Sequence, residues 1–412
     1  MTVARRGPGG LPVPADFAPP PSPADLARWA EADRAARPVR LERLRRRLTE
    51  TEVDAYFGIR PEHMRYLTGF ALASGEEKVA GNSGQFLVAR DEVVLLADSR
   101  YTIQGRREAP DARLFEAYGN LPERWAELLA SVGARRVAIE AGFVSHATWK
   151  RLAAAAPEVE LVPVEGWVEA DRATKEPAEL ERVAAACAVA DRALAALLPR
   201  IRPGVTEASL ALDLEWLMRT GGAEALAFDV ACLAGPQAAL PHGAPGERPV
   251  EAGQVLLFDF GAQVAGYRSD MTRTLFVGEP AARDLGVYAV VARSQCAAIE
   301  LLEARVSSGG PLPTGPDADA VARIVIDSDG RWPAYEHGLG HGIGLATHEE
   351  PRLGRTAPAT PLPSPTVFSV EPGIYLEGET GVRIEDLVAV DVEARRFERL
   401  TRFPSEVIVV GA

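Results

Sequence analysis

Strand-length apolar runs alternate with helix-like stretches through the first part of the chain. QFLVA (85–89), EVVLLAD (92–98) and RVAIE (136–140) are short and apolar, whereas segments such as ERWAELLASV (123–132) space their apolar residues at helical period. Upstream, Ser22-Pro23 has the form of a helix start, and Leu41, Leu44 and Leu48 recur at helical spacing toward the apolar stretch 55–59. This alternation predicts an α/β domain over 36–170. A charged stretch, EADRATKEPAELERV (169–183), then leads into an alanine-rich helix pattern through Leu180, Val183, Cys187, Leu194 and Leu197, which sets the second domain at 171–412.

The second domain runs twice through one order of elements: helix, helix, paired strands. The first pass predicts helices over 178–201 and 206–220, the latter capped by Thr206 and closed by Gly221, followed by VLLFDFGAQ (255–263) and YRSDMTRTLFV (267–277). The second predicts helices over 283–305 and 317–328, then TVFSVEPGIYL (366–376) and GVRIEDLVAVD (381–391). Residue identity between the passes is low, so the repeat rests on order alone.

Composition adds boundaries to this picture. Residues 1–35 form an N-terminal extension, with seven prolines up to Pro23 and too little apolar material to fold alone. The net charge of −13 argues against a sequence-independent grip on nucleic acid or on an anionic membrane. Three widely spaced cysteines, Cys187, Cys232 and Cys296, suggest neither a disulfide framework nor a zinc knuckle, and they fit a reducing, cytoplasmic setting. The longest apolar runs fall short of the ~20 residues a membrane span requires. A proline and glycine insertion at 307–319 is expected on the outside of the fold.

Chemistry enters with the acids of the two hairpins. Asp259 and Asp270 lie eleven residues apart around a turn near 264–266, and Glu371 and Glu385 lie fourteen apart around Gly378. Symmetric pairing would set each couple face to face with Cβ atoms ~5 Å apart, where unpaired like charges repel. Asp259 and Glu371 each follow an apolar run, so burial of their charge would be expensive without compensation. Two such pairs in corresponding places ask for a cation. Four carboxylates and a histidine make a mostly oxygen shell suited to two bridged divalent ions, manganese, cobalt or zinc, and hence to hydrolysis.

Between the hairpins lies HGLGHGIG (337–344). His337 and His341 share parity and would face one side of an extended strand, with the glycines leaving the backbone bare for close approach. The glycines do not fit a dinucleotide fingerprint, which would need glycine at Ile343, and no Walker lysine follows. Asp259-Phe260-Gly261 matches the kinase magnesium triplet without any of the kinase motifs that should accompany it. Four of the six histidines, His242, His337, His341 and His348, fall in the half that holds the acids.

These residues resemble the pita-bread metallopeptidases: aminopeptidase P, prolidase and methionine aminopeptidase. The likeness covers residues 172–410, and residues 36–167, with YLTGF (66–70) and DSRYTIQ (98–104), resemble the creatinase-type N-terminal domain of the proline-specific members. It implies an α/β creatinase-like domain followed by an α+β pita-bread catalytic domain with an internal pseudo-twofold repeat. It also implies two divalent metals, with Asp259 on one, Asp270 and Glu385 bridging both, and His341 with Glu371 on the second. By the same likeness Glu371 is the general base and acid. His242 and His348 would hydrogen-bond the scissile carbonyl or the tetrahedral intermediate, His337 would line the proline pocket, and Arg383 would hold the substrate or the neighbouring acids. The expected enzyme is a cytoplasmic homodimer that cuts Xaa-Pro bonds in proline-containing peptides. Segment 72–82, LASGEEKVAGN, is longer than this pattern requires and is expected to overhang the cleft and limit substrate length. The alternatives are a metal-independent creatinase-type amidinohydrolase and a non-catalytic peptide-binding relative.

Overall fold

The computed structural model describes residues 11–72, 84–117 and 121–411, so the expectation for segment 72–82 falls, beyond Leu72, outside the described residues. The chain forms two compact units: Ala27–Asp171 is one, and Met1–Leu26 together with Arg172–Ala412 is the other. The extension drawn over 1–35 is therefore corrected. One helix, Pro23–Glu50, runs through residue 35, and the described residues before it pack with the larger unit. Ser22 and Asp25 cap its start, with Asp25 N–H donating to Ser22 Oγ at 3.3 Å and Ser22 N–H donating to Asp25 Oδ2 at 3.0 Å. Its early turns are alanines and charged residues with good helix propensity and few apolar positions, so periodicity there is faint.

Unit Ala27–Asp171 is built on a six-stranded mixed sheet, in the order Arg113–Glu116, Val93–Ala97, Gln85–Ala89, Ala55–Gly58, Arg136–Glu140, Glu160–Val164. Its central strands are buried on both faces, which is why they read as continuous apolar runs. Phe57 and Trp125 meet edge to face in the core, ring centroids 5.0 Å apart.

In the larger unit each pass supplies two helices and one long hairpin, and each hairpin breaks in the middle. Helices Pro177–Leu197 and Glu207–Thr220 open the first pass, and Thr206 Oγ1 caps the second of them by accepting from Ser209 N–H. Helices Ala282–Ser308 and Gly315–Asp329 open the second pass. Ala282–Ser308 is long and apolar enough, by length and composition alone, to cross a membrane, yet Val287, Val291, Ile299 and Leu302 are buried in the core of this unit. The first hairpin passes from the pair Val255–Phe260/Met271–Val277 into Ala262–Val264/Tyr267–Arg268, which belongs to a different sheet. The second passes in the same way from Thr366–Val370/Asp386–Asp391 into Gly373–Leu376/Thr380–Arg383.

Candidate metal centre

Three of the four acids stand at the breaks in the hairpins, and the fourth, Asp259, lies within Val255–Phe260 just before its break. Asp270 lies between Tyr267–Arg268 and Met271–Val277, Glu371 between Thr366–Val370 and Gly373–Leu376, and Glu385 between Thr380–Arg383 and Asp386–Asp391. In the second hairpin the ladders on both sides of the break share one register, Val370 with Asp386 and Gly373 with Arg383, which sets Glu371 opposite Glu385. The first hairpin differs from the sequence expectation. Its tip is the two-residue turn Ala265-Gly266, both at positive φ (47° and 85°), so Val264 pairs with Tyr267 and the ladder sets Asp259 opposite Thr272. Asp270 is then the diagonal neighbour of Asp259 on the same face, still within reach of a shared ligand.

His341 joins the acids from Gly340–Gly342, a strand of only three residues. Its Nε2 is 3.3 Å from Glu371 Oε1 and 3.6 Å from Asp270 Oδ2, and ligand atoms of Asp270, His341 and Glu385 lie within 4.8 Å of one another. His341 Nδ1 faces Gly342 O at 3.1 Å, which keeps a proton on Nδ1 and turns Nε2, the nitrogen that would ligate once deprotonated, toward the acids. The extended strand expected over 337–344 is corrected as well, because His337 sits in a bend outside it. The role expected of the glycines changes too. A Cβ on Gly340 would fall 1.9 Å from Ser369 O and one on Gly342 2.2 Å from Glu350 O, so their bareness admits the neighbouring strands of the protein itself.

Among the described residues, the four acids outnumber the cations beside them. Arg383 Nη2 pairs with Asp259 Oδ2 at 2.5 Å, and Thr272 Oγ1 donates to Glu385 Oε2 at 2.7 Å while accepting from Arg383 Nε at 2.9 Å. Ser369 Oγ donates to Glu371 Oε1 at 2.9 Å. Among the described residues, Asp259 Oδ1 and Glu385 Oε1 are buried oxygens with no hydrogen-bond partner. Burial, reinforced by neighbouring acids, drives Asp270 and Glu385 well above the usual carboxylate range. Burial opposes the Glu371 charge too, but the hydrogen bond and charge of His341 outweigh it and hold Glu371 down to about 2. His341 shows the converse: burial lowers it, and Glu371 lifts it to about 9. Orphaned buried oxygens in an oxygen-rich donor set that also offers an imidazole are what divalent metal would satisfy, so the residues fit such ions.

Around this cluster stand the remaining histidines. His348 keeps one side exposed, its ring centroid 4.3 Å from that of His341, and the partial burial of the ring together with the charge of His341 lowers its pKa. His242 is exposed on the loop whose Pro241 O accepts from Arg383 Nη1 at 3.5 Å. His337 Nδ1 faces Gly338 O at 2.7 Å, so its Nε2 accepts from Tyr375 Oη at 3.0 Å, and that hydroxyl in turn accepts from Arg383 Nη1 at 2.9 Å. Tyr375, Thr272 and Ser369 were missed in the sequence. Each lies an even number of residues from an acid in its own hairpin (Glu371, Asp270 and Glu371 respectively), and period-two spacing alone would have flagged them.

An acid cluster that the cations among the described residues do not neutralise, walled by exposed histidines, defines a metal-dependent hydrolytic enzyme. Residues 181–391 match metallopeptidase family M24, and residues 40–174 match the creatinase/prolidase N-terminal domain. The chain belongs to family M24, and membership implies divalent metal ions. It is 30% identical to a Xaa-Pro dipeptidase of Pyrococcus furiosus over 372 residues, 90% of this chain and 99% of that one. Two solved structures superpose at TM-score 0.80 with 32% identity, each match covering 90% of this chain and 99% of the other: a Xaa-Pro dipeptidase from Bacillus anthracis and an X-Pro aminopeptidase from Thermotoga maritima.

Proposed function

We propose that the chain is a proline-specific metallo-exopeptidase that hydrolyses the bond between a first residue and proline, in Xaa-Pro dipeptides or at peptide N-termini, as a cytoplasmic homodimer. The observation that carries the metal chemistry is the pair of orphaned buried oxygens on Asp259 and Glu385. The proline specificity rests on the likeness to dipeptidases and aminopeptidases of that type. An exposed thiol at Cys296 and buried free thiols at Cys187 and Cys232 suit a reducing compartment.

In this reading Asp259, Asp270, His341, Glu371 and Glu385 would hold two divalent ions, manganese before cobalt or zinc, and the chemistry such a pair would supply is a lowered pKa for the attacking water and polarisation of the scissile carbonyl. Glu371, kept ionised beside His341 and Ser369, takes the proton of the attacking water and returns it to the proline nitrogen as that nitrogen leaves. His242 and His348 reach the carbonyl oxygen as its charge develops, and burial keeps His348 biased to the neutral form with one N–H to donate. His337, Tyr375 and Arg383 form the connected wall on the proline side.

Side-by-side assays of Xaa-Pro dipeptides and Xaa-Pro-Xaa tripeptides test the reading. Chelator should abolish turnover of both and added manganese should restore it; activity that survives exhaustive chelation would remove the metal from the mechanism. His348→Ala should lower kcat about 100-fold, the scale of one lost oxyanion donor, with metal content unchanged by elemental analysis. Metal loss in that variant would mean that the ligands are wrongly assigned.

A further inference from the structure

The segment before residue 27 lies upstream of both matched regions, which begin at 40 and 181, yet its described part is docked on the catalytic unit. Arg192 Nη1 donates to Pro14 O at 2.7 Å and to Phe17 O at 3.4 Å. Phe17 stacks on Phe403, centroids 6.2 Å apart and planes 13° from parallel, and Pro12 is buried. Pro20 sits against Gly222, where an added Cβ would fall 2.9 Å from its own Cβ.

Phe403 is itself part of a tight junction. The residue beside Arg192 is Asp191, whose carboxylate accepts from Arg402 N–H at 2.9 Å and Phe403 N–H at 3.0 Å. One step of helix Pro177–Leu197 thus holds both the N-terminal segment and residues 402–403. On the other side Arg273, 1% exposed, donates to Phe403 O at 2.6 Å, to Pro404 O at 3.0 Å and to Asp386 Oδ1 at 2.6 Å. The same guanidinium donates to Thr272 O at 2.9 Å and to Glu385 O. It therefore ties the backbone of the two residues that meet at Glu385 Oε2 to the carbonyls of Phe403 and Pro404.

We propose that residues 11–22 are a strap that fixes Glu385 from behind, through the line Phe17, Phe403, Arg273, and so sets the affinity of the metal centre. The inference rests on the metal reading above. A planar guanidinium has fixed donor directions, so its position follows the carbonyls it serves. Without Phe17 one face of the Phe403 ring loses its cover, the 402–404 segment gains freedom, and Arg273 no longer holds the Glu385 backbone in one place. Phe17 and Arg192 are positioning residues, since neither touches metal or substrate.

The test is manganese binding to metal-free full-length protein by calorimetry, beside thermal unfolding of the same metal-free samples. Phe17→Ala, and separately deletion of residues 1–20, should weaken binding about 3- to 10-fold, below the 10- to 100-fold typical of direct partners of metal ligands, while Phe17→Trp should stay within about 2-fold of the parent. Arg273→Lys should weaken it about 10-fold or more, and adding Phe17→Ala to that variant should cost nothing further, because both act through one line. A Phe17→Ala protein that melts lower but binds manganese as the parent does would overturn the strap and leave a merely structural contact; multiplicative effects of Phe17→Ala and Arg273→Lys would do the same. A parent that binds no manganese would overturn the metal reading itself, before any variant is compared.

Discussion

Replacing His341 with alanine should abolish turnover and weaken metal binding at least about 100-fold, the upper end of what loss of an outer partner costs. The imidazole stands between Glu371 and Asp270, its tautomer set by Gly342 O. Without it Glu371 loses the neighbour that holds its carboxyl low, and the pressed acids move toward protonation, a form that does not ligate. Elemental analysis after dialysis, beside the Xaa-Pro assay, reads both effects. Full metal content in the variant would remove His341 from the ligand set.

Glu349→Ala should destabilise the fold by about 3–5 kcal/mol, or roughly 10 °C in Tm. Glu349 bridges Arg172 and Lys175, the latter at 2.7 Å, and side-chain exposure is 3% for the acid, 2% for Arg172 and 1% for Lys175. Truncation would leave two buried cations without their shared counterion. Burial opposes the Glu349 charge, but Arg172 and Lys175 keep its carboxyl below the ordinary range. Its contribution is therefore present above the unfolded pKa near ~4.3 and is lost as pH falls through the lower folded value. The gap in Tm between parent and variant should accordingly be full at neutral pH and close in acid; a gap that persists unchanged in acid would assign the loss to packing alone. Glu349 follows His348 directly, so the variant should also lose activity before it unfolds.

Much of this was legible in the sequence. Apolar runs fixed the central strands of the first domain because those strands are buried on both sides, and the fourteen-residue spacing of Glu371 and Glu385 predicted their opposition because Gly378 sits at the centre of that hairpin. The eleven-residue spacing misled, because the positive-φ turn at Ala265-Gly266 moves the axis of pairing by one position. Alternating glycines suggested a surface for a ligand, whereas Ser369 O and Glu350 O press against them. Arg273 and Glu349 carried no local signal: each acts on partners over a hundred residues away, and only the folded chain brings these together. The helix start read at Ser22-Pro23 is borne out, but the boundary drawn at residue 35 cuts through that helix, because alanine and charge carry propensity without period.

The catalytic unit is discontinuous along the chain, its first strip made before Ala27–Asp171 and its remainder after. On the ribosome that strip emerges long before Phe403, so it docks only after residue 403 has been made. The smaller unit can fold in the interval. Closure of the larger one then waits for residues 17 and 403 to meet, and a bulky fusion placed just before residue 11 would disturb the peptidase unit rather than the domain that follows it in sequence.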